Sequence, residues 1–174
     1  MTIRPFNESS TAAAGFTLIE LLLVISLISL MLFFAIPRFQ GGIFANTSRR
    51  STILLKQTIE GLKQKAVEEQ KTYALHLNLD THHFWITNEA MDEEASLEAL
   101  RKGTDLSDAL YLKEVAFSRN EKFLFGEVNL YFYPKGYSDR ARIHLQLLDG
   151  TQTTLLVEPF LAAVRIEEDY VSFR

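Results

Sequence analysis

The chain has 174 residues, of which 47% are hydrophobic and 23% charged, and its formal net charge is −4. This composition excludes a collagen, a low-complexity disordered chain and a membrane protein with many spans, and it leaves room for about one ordinary domain. The absence of cysteine excludes disulfide frameworks, thiolate nucleophiles and zinc fingers.

The N-terminal segment, residues 1–15, is polar and rich in small side chains, and the apolar run begins only after Gly15. A secretory signal peptide has the reverse order, with its cleavage site after the apolar stretch. A cut after Gly15 therefore leaves residues 16–36 on the mature chain. At about 1.5 Å per residue, this segment is predicted to cross a hydrocarbon core of about 30 Å once.

One acidic residue, Glu20, lies inside this apolar run. An acidic group in a spanning helix costs about 2.5–3.5 kcal/mol even on the lenient insertion scale, so it predicts a function and a partner. After a cut before Phe16, the new α-amino group lies one helical turn from Glu20. In a stack of such helices, the ammonium group of one chain can neutralise the glutamate of the next. The alternative is a simple signal anchor whose Glu20 lies near the membrane surface.

The start of the run resembles the prepilin processing motif of type IV pilins and type II secretion pseudopilins, in the order Gly15-Phe16-Thr17-Leu18-Ile19-Glu20-Leu21. In that family a glycine precedes the cut, a phenylalanine becomes the N-methylated first residue, and a glutamate is the fifth residue of the mature chain. The resemblance implies a leader over residues 1–15, an assembly helix over residues 16–36 and an assembly role for Glu20. Pro37 falls where many pilins carry a helix-kinking proline.

The next segment is predicted to be the second half of a stalk helix, over residues 37–72. Proline lacks an amide donor and clashes with the preceding turn, so the helix is predicted to kink or partly unwind at Pro37. Beyond it, apolar residues recur at helical spacing between charged ones, at Leu55, Ile59, Leu62 and Ala66. This pattern predicts an amphipathic helix over residues 47–71 that packs on the protein's own sheet.

From Tyr73 onwards the pattern changes to the two-residue period of strands. Residues 89–108 interrupt it, since they are acidic and rich in alanine, and they are predicted to form a surface insertion with one short helix at about residues 93–102. Strands are predicted at residues 73–79, 82–87, 111–117, 123–125, 128–133, 161–166 and 170–173. These elements form a predicted head over residues 73–174, and the chain as a whole is predicted to have an α+β fold.

A β-hairpin is predicted over residues 141–158, turning at Asp149-Gly150, a pair suited to a type I′ turn. That turn sets three cross-strand pairs with a mainly apolar face: Ile143 with Leu156, Leu145 with Thr154, and Leu147 with Gln152. On the same register three polar side chains face outward: Arg142, His144 and Gln146.

The C-terminal half carries a second resemblance. Residues 131–136, with the sequence Tyr-Phe-Tyr-Pro-Lys-Gly, precede Arg142-Ile143-His144-Leu145 and the Asp149-Gly150 turn. This order is similar to the H-type minor pseudopilins of type II secretion (the GspH and FimT-like proteins) and to related minor pilins. The resemblance implies a head of two packed antiparallel sheets.

No sequence motif predicts an enzyme, a cofactor or a metal site. The chain lacks a phosphate-binding glycine loop, G-x-S-x-G and H-E-x-x-H. His82 and His83 are adjacent and would point to opposite faces of a strand. The acidic run Asp92-Glu93-Glu94 lacks the spacing of a calcium loop, so a solvated acidic face is favoured. Nucleic acid is not an expected partner, because a phosphate-binding surface needs clustered Lys and Arg.

Together these features predict a minor pseudopilin of a type II secretion system, inserted once in the inner membrane with its head in the periplasm. Its expected partners are a prepilin peptidase/methyltransferase that cuts after Gly15 and methylates Phe16, other major and minor pseudopilins, and inner membrane lipid. Two alternatives remain open. One is a minor pilin of a type IV pilus that primes assembly or takes part in DNA uptake, and the other is a membrane-anchored periplasmic binding module that does not polymerise.

Overall fold

The computed structural model describes the backbone of residues 17–173 and the side chains of residues 17–33 and 48–173. The chain divides into two compact units, Met1–Gly42 and Ile43–Arg174. The described part contains two helices and nine strands, and the strands form two antiparallel sheets. The predicted α+β class with two antiparallel sheets is therefore confirmed.

The first helix, α1, spans Leu18–Glu69. Its range includes Pro37, whose side chain is not described, so the kink at this residue stays a prediction. The helix ends where Gln70 adopts a positive φ of 51° and the Lys71 amide donates to the Ala66 carbonyl at 3.2 Å. This is a Schellman ending in which glutamine takes the place that glycine usually has.

The second part of α1 contributes one face to the core of the head. Its four predicted apolar positions are all buried, with 0–3% of their surface exposed, and they join the strands in one hydrophobic cluster: Leu55, Ile59, Leu62 and Ala66. Burying a leucine or isoleucine side chain stabilises a fold by about 1.5–3 kcal/mol. The amphipathic half of the helix was therefore predicted correctly from its spacing.

The remaining elements follow in chain order. They are β1 (Tyr73–Asn78), β2 (His83–Asn88), α2 (Glu93–Arg101), β3 (Thr104–Asp105), β4 (Leu110–Ala116), β5 (Lys122–Phe123), β6 (Glu127–Phe132), β7 (Ala141–Leu147), β8 (Gln152–Val157) and β9 (Arg165–Glu167). The four-stranded sheet A has the order β3-β2-β1-β6, and the five-stranded sheet B has the order β5-β4-β7-β8-β9.

Sheet A has the predicted alternation. Tyr73, Leu75 and Leu77 of β1 are buried in the core, and Phe84 of β2 joins them. The predicted helix of the insertion is α2, which begins after Asp92; the side chain of Asp92 accepts a hydrogen bond from the Ala95 amide at 2.8 Å and caps the helix. The short strand β3 was not predicted, because two residues are too few to show a period.

The hairpin of β7 and β8 exists, but the predicted register is wrong by one residue. Ile143 pairs with Leu155 and Leu145 with Thr153. The Gly150 amide donates to the Leu147 carbonyl, and Gly150 has a φ of 88°, which places one more residue in the loop than a type I′ turn has.

A one-residue slip moves every side chain of a strand to the other face. Leu155 and Val157 therefore enter the core, whereas Leu156 and Thr154 lie on the face of Arg142 and His144. The prediction that this second face is open to solvent is also wrong, since Arg142 is 9% exposed and His144 1% exposed.

The end of the chain differs from the prediction as well. The predicted strand at residues 161–166 is confirmed only at residues 165–166, which belong to β9, and residues 170–173 form no strand. At or next to each stretch, side chains bind backbone carbonyl groups. Lys63 donates to the carbonyls of Glu158 and Leu161, and Thr154 donates to the carbonyl of Asp169.

Candidate functional site

The predicted processing site comes just before Thr17, the first residue that the structure describes. Gly15 and Phe16 are outside the described residues, so cleavage and methylation there stay predictions. Thr17 precedes α1, and its carbonyl accepts hydrogen bonds from the Glu20 amide at 3.1 Å and the Leu21 amide at 3.2 Å. The Glu20 amide also lies 3.3 Å from Thr17 Oγ1, which accepts from it. Thr17 therefore caps the helix.

Glu20 occupies the first turn of α1, and its side chain is exposed. The sequence Thr17-Leu18-Ile19-Glu20 has the spacing of a capping box, in which the acid is the third residue after the cap. A carboxylate in the first turn also interacts favourably with the helix dipole. This local role was not predicted, although the T-x-x-E spacing indicates it. The spacing thus indicates a local capping role for Glu20 inside its own helix, besides the predicted pairing with a neighbour.

The apolar residues that follow Glu20 are exposed. The consecutive residues Leu21, Leu22, Leu23 and Val24 have 57%, 61%, 60% and 47% of their surface exposed, although they point in different directions around α1. In the part of the chain that the structure describes, no helix combines the length and apolar character needed to cross a membrane. The bilayer span that the sequence predicts for residues 16–36 is not supported by this finding.

The second part of α1 is tied to the loop of residues 158–164 by two charged side chains. Lys63 Nζ lies 2.6 Å from the carbonyl oxygens of both Glu158 and Leu161. Glu60 Oε1 accepts from the Val164 amide at 2.8 Å and from Lys56 Nζ at 2.7 Å. Burial alone raises the pKa of Glu60, but these donors outweigh it and lower the pKa below its ordinary value. The two side chains fix the position of the loop on the helix.

An open groove lies between α1 and this loop. It is lined on the helix side by Gly61, Gln64 and Val67, and on the loop side by Phe160 and Leu161. Phe160 is 82% exposed and its ring centroid lies 6.3 Å from that of Tyr137. The residues that line the groove include no arrangement of nucleophile and base.

The four histidines have different hydrogen-bond partners, although the rings of His76 and His83 both contact Trp85. His82 accepts a hydrogen bond from the Leu112 amide at 3.3 Å, whereas His83 points to Asp105 and the Leu100 carbonyl. His76 is on sheet A, and His144 is on sheet B. Among the residues described, no three His, Asp or Glu side chains are close enough together to hold a metal ion.

The outer face of sheet B carries a polar cluster that the sequence did not predict. The His144 ring stacks on Tyr170, with centroids 4.2 Å apart, and the Tyr170 hydroxyl donates to Glu114 Oε1 at 3.0 Å. Lys122 Nζ donates to the same hydroxyl at 2.8 Å. The strand pattern places Glu114 and His144 on one face of sheet B. It does not show that residues 169–173, which include Tyr170, cover that face.

Comparison with known proteins shows that part of the chain is similar to a solved structure. Neither a protein-family model nor a curated protein sequence matches the chain. The structure is similar to that of the minor pseudopilin EpsH from the Type 2 Secretion System of Vibrio cholerae, with a TM-score of 0.48 and 14% sequence identity. The alignment covers 65% of this chain and 96% of that one.

Proposed function

We propose that the chain is a minor pseudopilin of a type II protein secretion system. In this role it is stored in the inner membrane, with its head in the periplasm, and is then built into a pseudopilus that drives the export of folded proteins. One observation carries the proposal: in the sequence a Gly15-Phe16 pair is followed, after Thr17, by a helix with an acid in its first turn and exposed apolar side chains beyond it.

The exposed apolar side chains of residues 18–32 are unfavourable in water, so we expect another apolar surface to bury them. Apolar surface left in water costs about 25 cal/mol for each Å², and a surface apolar all around a helix is typical of a buried or membrane helix. A bilayer covers such a helix before assembly, and the equivalent helices of neighbouring subunits cover it afterwards. Both environments are apolar, so transfer from one to the other requires little change in hydrophobic free energy.

Glu20 favours the filament over the bilayer as the environment of this helix. In a bilayer, its carboxylate is costly unless it is paired. Cleavage before Phe16 by a prepilin peptidase would create an α-amino group, and in a helical stack the ammonium of one subunit reaches the Glu20 of another. Pairing the two charges removes the penalty for both and fixes the axial position of each new subunit.

The head moves with its helix in this proposal. Leu55, Ile59 and Leu62 belong to the core of the head, and Lys63 holds the loop of residues 158–164. A displacement of this part of α1 would therefore carry both sheets with it rather than unfold them.

The test replaces Glu20 by alanine in the full chain, expressed together with its sibling subunits. Insertion into the membrane fraction should be unchanged, whereas cross-linking to the siblings and incorporation into filaments should fall at least tenfold. The matched control is Glu68→Ala, which removes an exposed acid from the same helix, and it should assemble normally. Incorporation of the Glu20 variant into filaments at the normal level would contradict the assembly role of Glu20, whereas absence of the unaltered chain itself from filaments would favour the anchored module that does not polymerise.

The kind of filament is decided by co-purification. A pseudopilin should be recovered with components of the secretion channel, and its deletion should stop export. Recovery with a pilus retraction motor, together with loss of piliation or DNA uptake, would instead identify a minor pilin and contradict the secretion role.

A further inference from the structure

Residues 169–173 lie on the outer face of sheet B without joining it as a strand. Three side chains of the head bind alternate carbonyl groups along this segment. Thr154 Oγ1 donates to the Asp169 carbonyl at 2.6 Å, Arg142 Nη1 donates to the Val171 carbonyl at 3.1 Å, and Arg119 Nε donates to the Phe173 carbonyl at 3.1 Å. Such bonds recognise an extended backbone whatever its side chains are.

Two aromatic side chains of the segment occupy defined places on the same face. Tyr170 stacks on His144 at 4.2 Å, and the Arg142 guanidinium lies 4.0 Å from the Phe173 ring centroid. Aromatic stacking and cation–π contacts are both favourable beyond the apolar area that they bury. The face thus combines backbone recognition with two places for rings, which is the arrangement of a peptide-binding site.

Polar atoms of this face have unused bonding capacity. His144 and Arg142 are 1% and 9% exposed, yet His144 Nε2 and Arg142 Nε have no hydrogen-bond partner among the described residues. Buried polar groups without a partner are destabilising, because they have lost their hydrogen bonds to water. The segment therefore fills the face without satisfying all of it.

The chain that connects β9 to residues 169–173 favours release of this segment from sheet B. It follows β9, a strand of three residues, all exposed. Asp169 has a φ of 152°, a conformation that residues other than glycine rarely adopt. Segments joined through short strained connections are prone to exchange between copies of a chain.

We propose that the outer face of sheet B is a binding site for an extended peptide with two aromatic residues, and that its partner is the same C-terminal segment of a second copy of this chain. In a single copy the site is filled by the chain's own residues 169–173. This inference does not depend on the secretion role, since it concerns the head alone.

The experiment uses a synthetic peptide of residues 168–173, labelled at its N-terminus and amidated at its C-terminus, titrated into the detergent-solubilised full chain and followed by fluorescence anisotropy. The chain's own segment competes at an effective concentration of about 1 mM, because it is tethered. The double variant Tyr170→Ala, Phe173→Ala weakens that competitor. It should bind the peptide at least tenfold more tightly than the unaltered chain does.

Two controls distinguish binding at this site from non-specific hydrophobic binding of the peptide. Phe125→Ala, Phe160→Ala removes two rings that are 77% and 82% exposed elsewhere on the head, and it should bind the peptide as weakly as the unaltered chain. A peptide in which Tyr170 and Phe173 are both alanine should bind neither variant tightly.

The proposal is overturned if the double variant melts cooperatively but binds the peptide no more tightly than the unaltered chain, or if it binds the alanine peptide equally well. If the double variant does not fold, Phe173→Ala alone is titrated in its place, since that ring is half-buried and contacts only guanidinium groups among the pairs described. Its affinity for the peptide should then exceed that of the unaltered chain at least threefold, and an unchanged affinity rejects the site.

Discussion

His144 Nε2 lies 3.6 Å from Glu114 Oε1, with both residues buried on the outer face of sheet B. The hydroxyl of Thr154 gives its one hydrogen to the Asp169 carbonyl and must accept from its other two neighbours, the Val171 amide and His144 Nδ1. The proton of the neutral imidazole is therefore on Nδ1. Its Nε2 lone pair points towards a carboxylate, and this relationship makes the face sensitive to acid.

Acid should destabilise the head through His144. Burial lowers the pKa of this imidazole to about 4, although Glu114 opposes the shift. The unfolded value is about 6.5, so the unfolded chain binds the proton more tightly and stability falls as the pH decreases from about 6.5 to about 4. The loss is on the order of 3 kcal/mol. In His144→Asn, the free energy of unfolding by urea should vary less with pH over this range. An identical pH dependence in both proteins would show that His144 is not responsible.

His83 should have the opposite pH dependence. Its Nδ1 lies 2.6 Å from Asp105 Oδ1 and its Nε2 lies 2.9 Å from the Leu100 carbonyl oxygen, so both partners are acceptors. Burial alone lowers its pKa, but these bonds outweigh burial and raise the pKa above its ordinary value. Its contribution is present below about pH 6.5 and is lost as the pH rises through the higher folded value. His83→Gln should therefore reduce the melting temperature more at pH 5.5 than at pH 8.5. A reduction that is the same at both pH values contradicts the assignment.

Gly103 should not tolerate a side chain. A Cβ at this position would lie 2.7 Å from the Phe84 carbonyl oxygen and overlap the His83 ring. Gly103→Ala should destabilise the protein by about 1–3 kcal/mol, as overpacking does. Gly61→Ala is the matched control, since a methyl group added there on α1 would have nothing within 4 Å, and it should stabilise by about 0.5–1 kcal/mol. Chemical denaturation measures both, and equal effects would contradict the close approach of β2 to Gly103.

The hairpin register can be tested by truncating single leucines. Leu155 is fully buried in the core and Leu148 is 57% exposed in the turn. Leu155→Ala should cost about 2–5 kcal/mol of unfolding free energy, whereas Leu148→Ala should cost less than about 0.5 kcal/mol. The type I′ register would place Leu156 in the core instead. A larger loss of unfolding free energy for Leu156→Ala than for Leu155→Ala would therefore support the type I′ register and contradict the one in the structure.

The elements of the head could be predicted where the side-chain period is long and regular. Leu55, Ile59, Leu62 and Ala66 repeat over about three turns, and only one side of such a helix can be buried. The register of β7 and β8 could not be predicted with equal success, because Leu155 and Leu156 are adjacent and either could face the core. The turn decided between them, and Asp149-Gly150 fits both a two-residue and a three-residue loop.

The candidate functional site also has one part that the sequence predicts and one part that it does not. The motif around Gly15, Phe16 and Glu20 is a local sequence feature and is visible without a structure. The cluster of Glu114, His144 and Tyr170 comes from three distant parts of the chain, and the segment that covers it has no strand period. Its place on sheet B depends on side-chain hydrogen bonds, which leave no pattern in the sequence.

The proposed assembly mechanism depends most on removal of residues 1–15. The direct measurement is mass spectrometry of the N-terminal peptide of the full-length product, isolated from the membranes of cells with an active prepilin peptidase. We expect a peptide that begins at Phe16 and carries one methyl group on its α-amino nitrogen, and we expect Gly15→Leu to abolish it. A peptide that still contains Met1 to Gly15 in such cells would contradict the assembly mechanism.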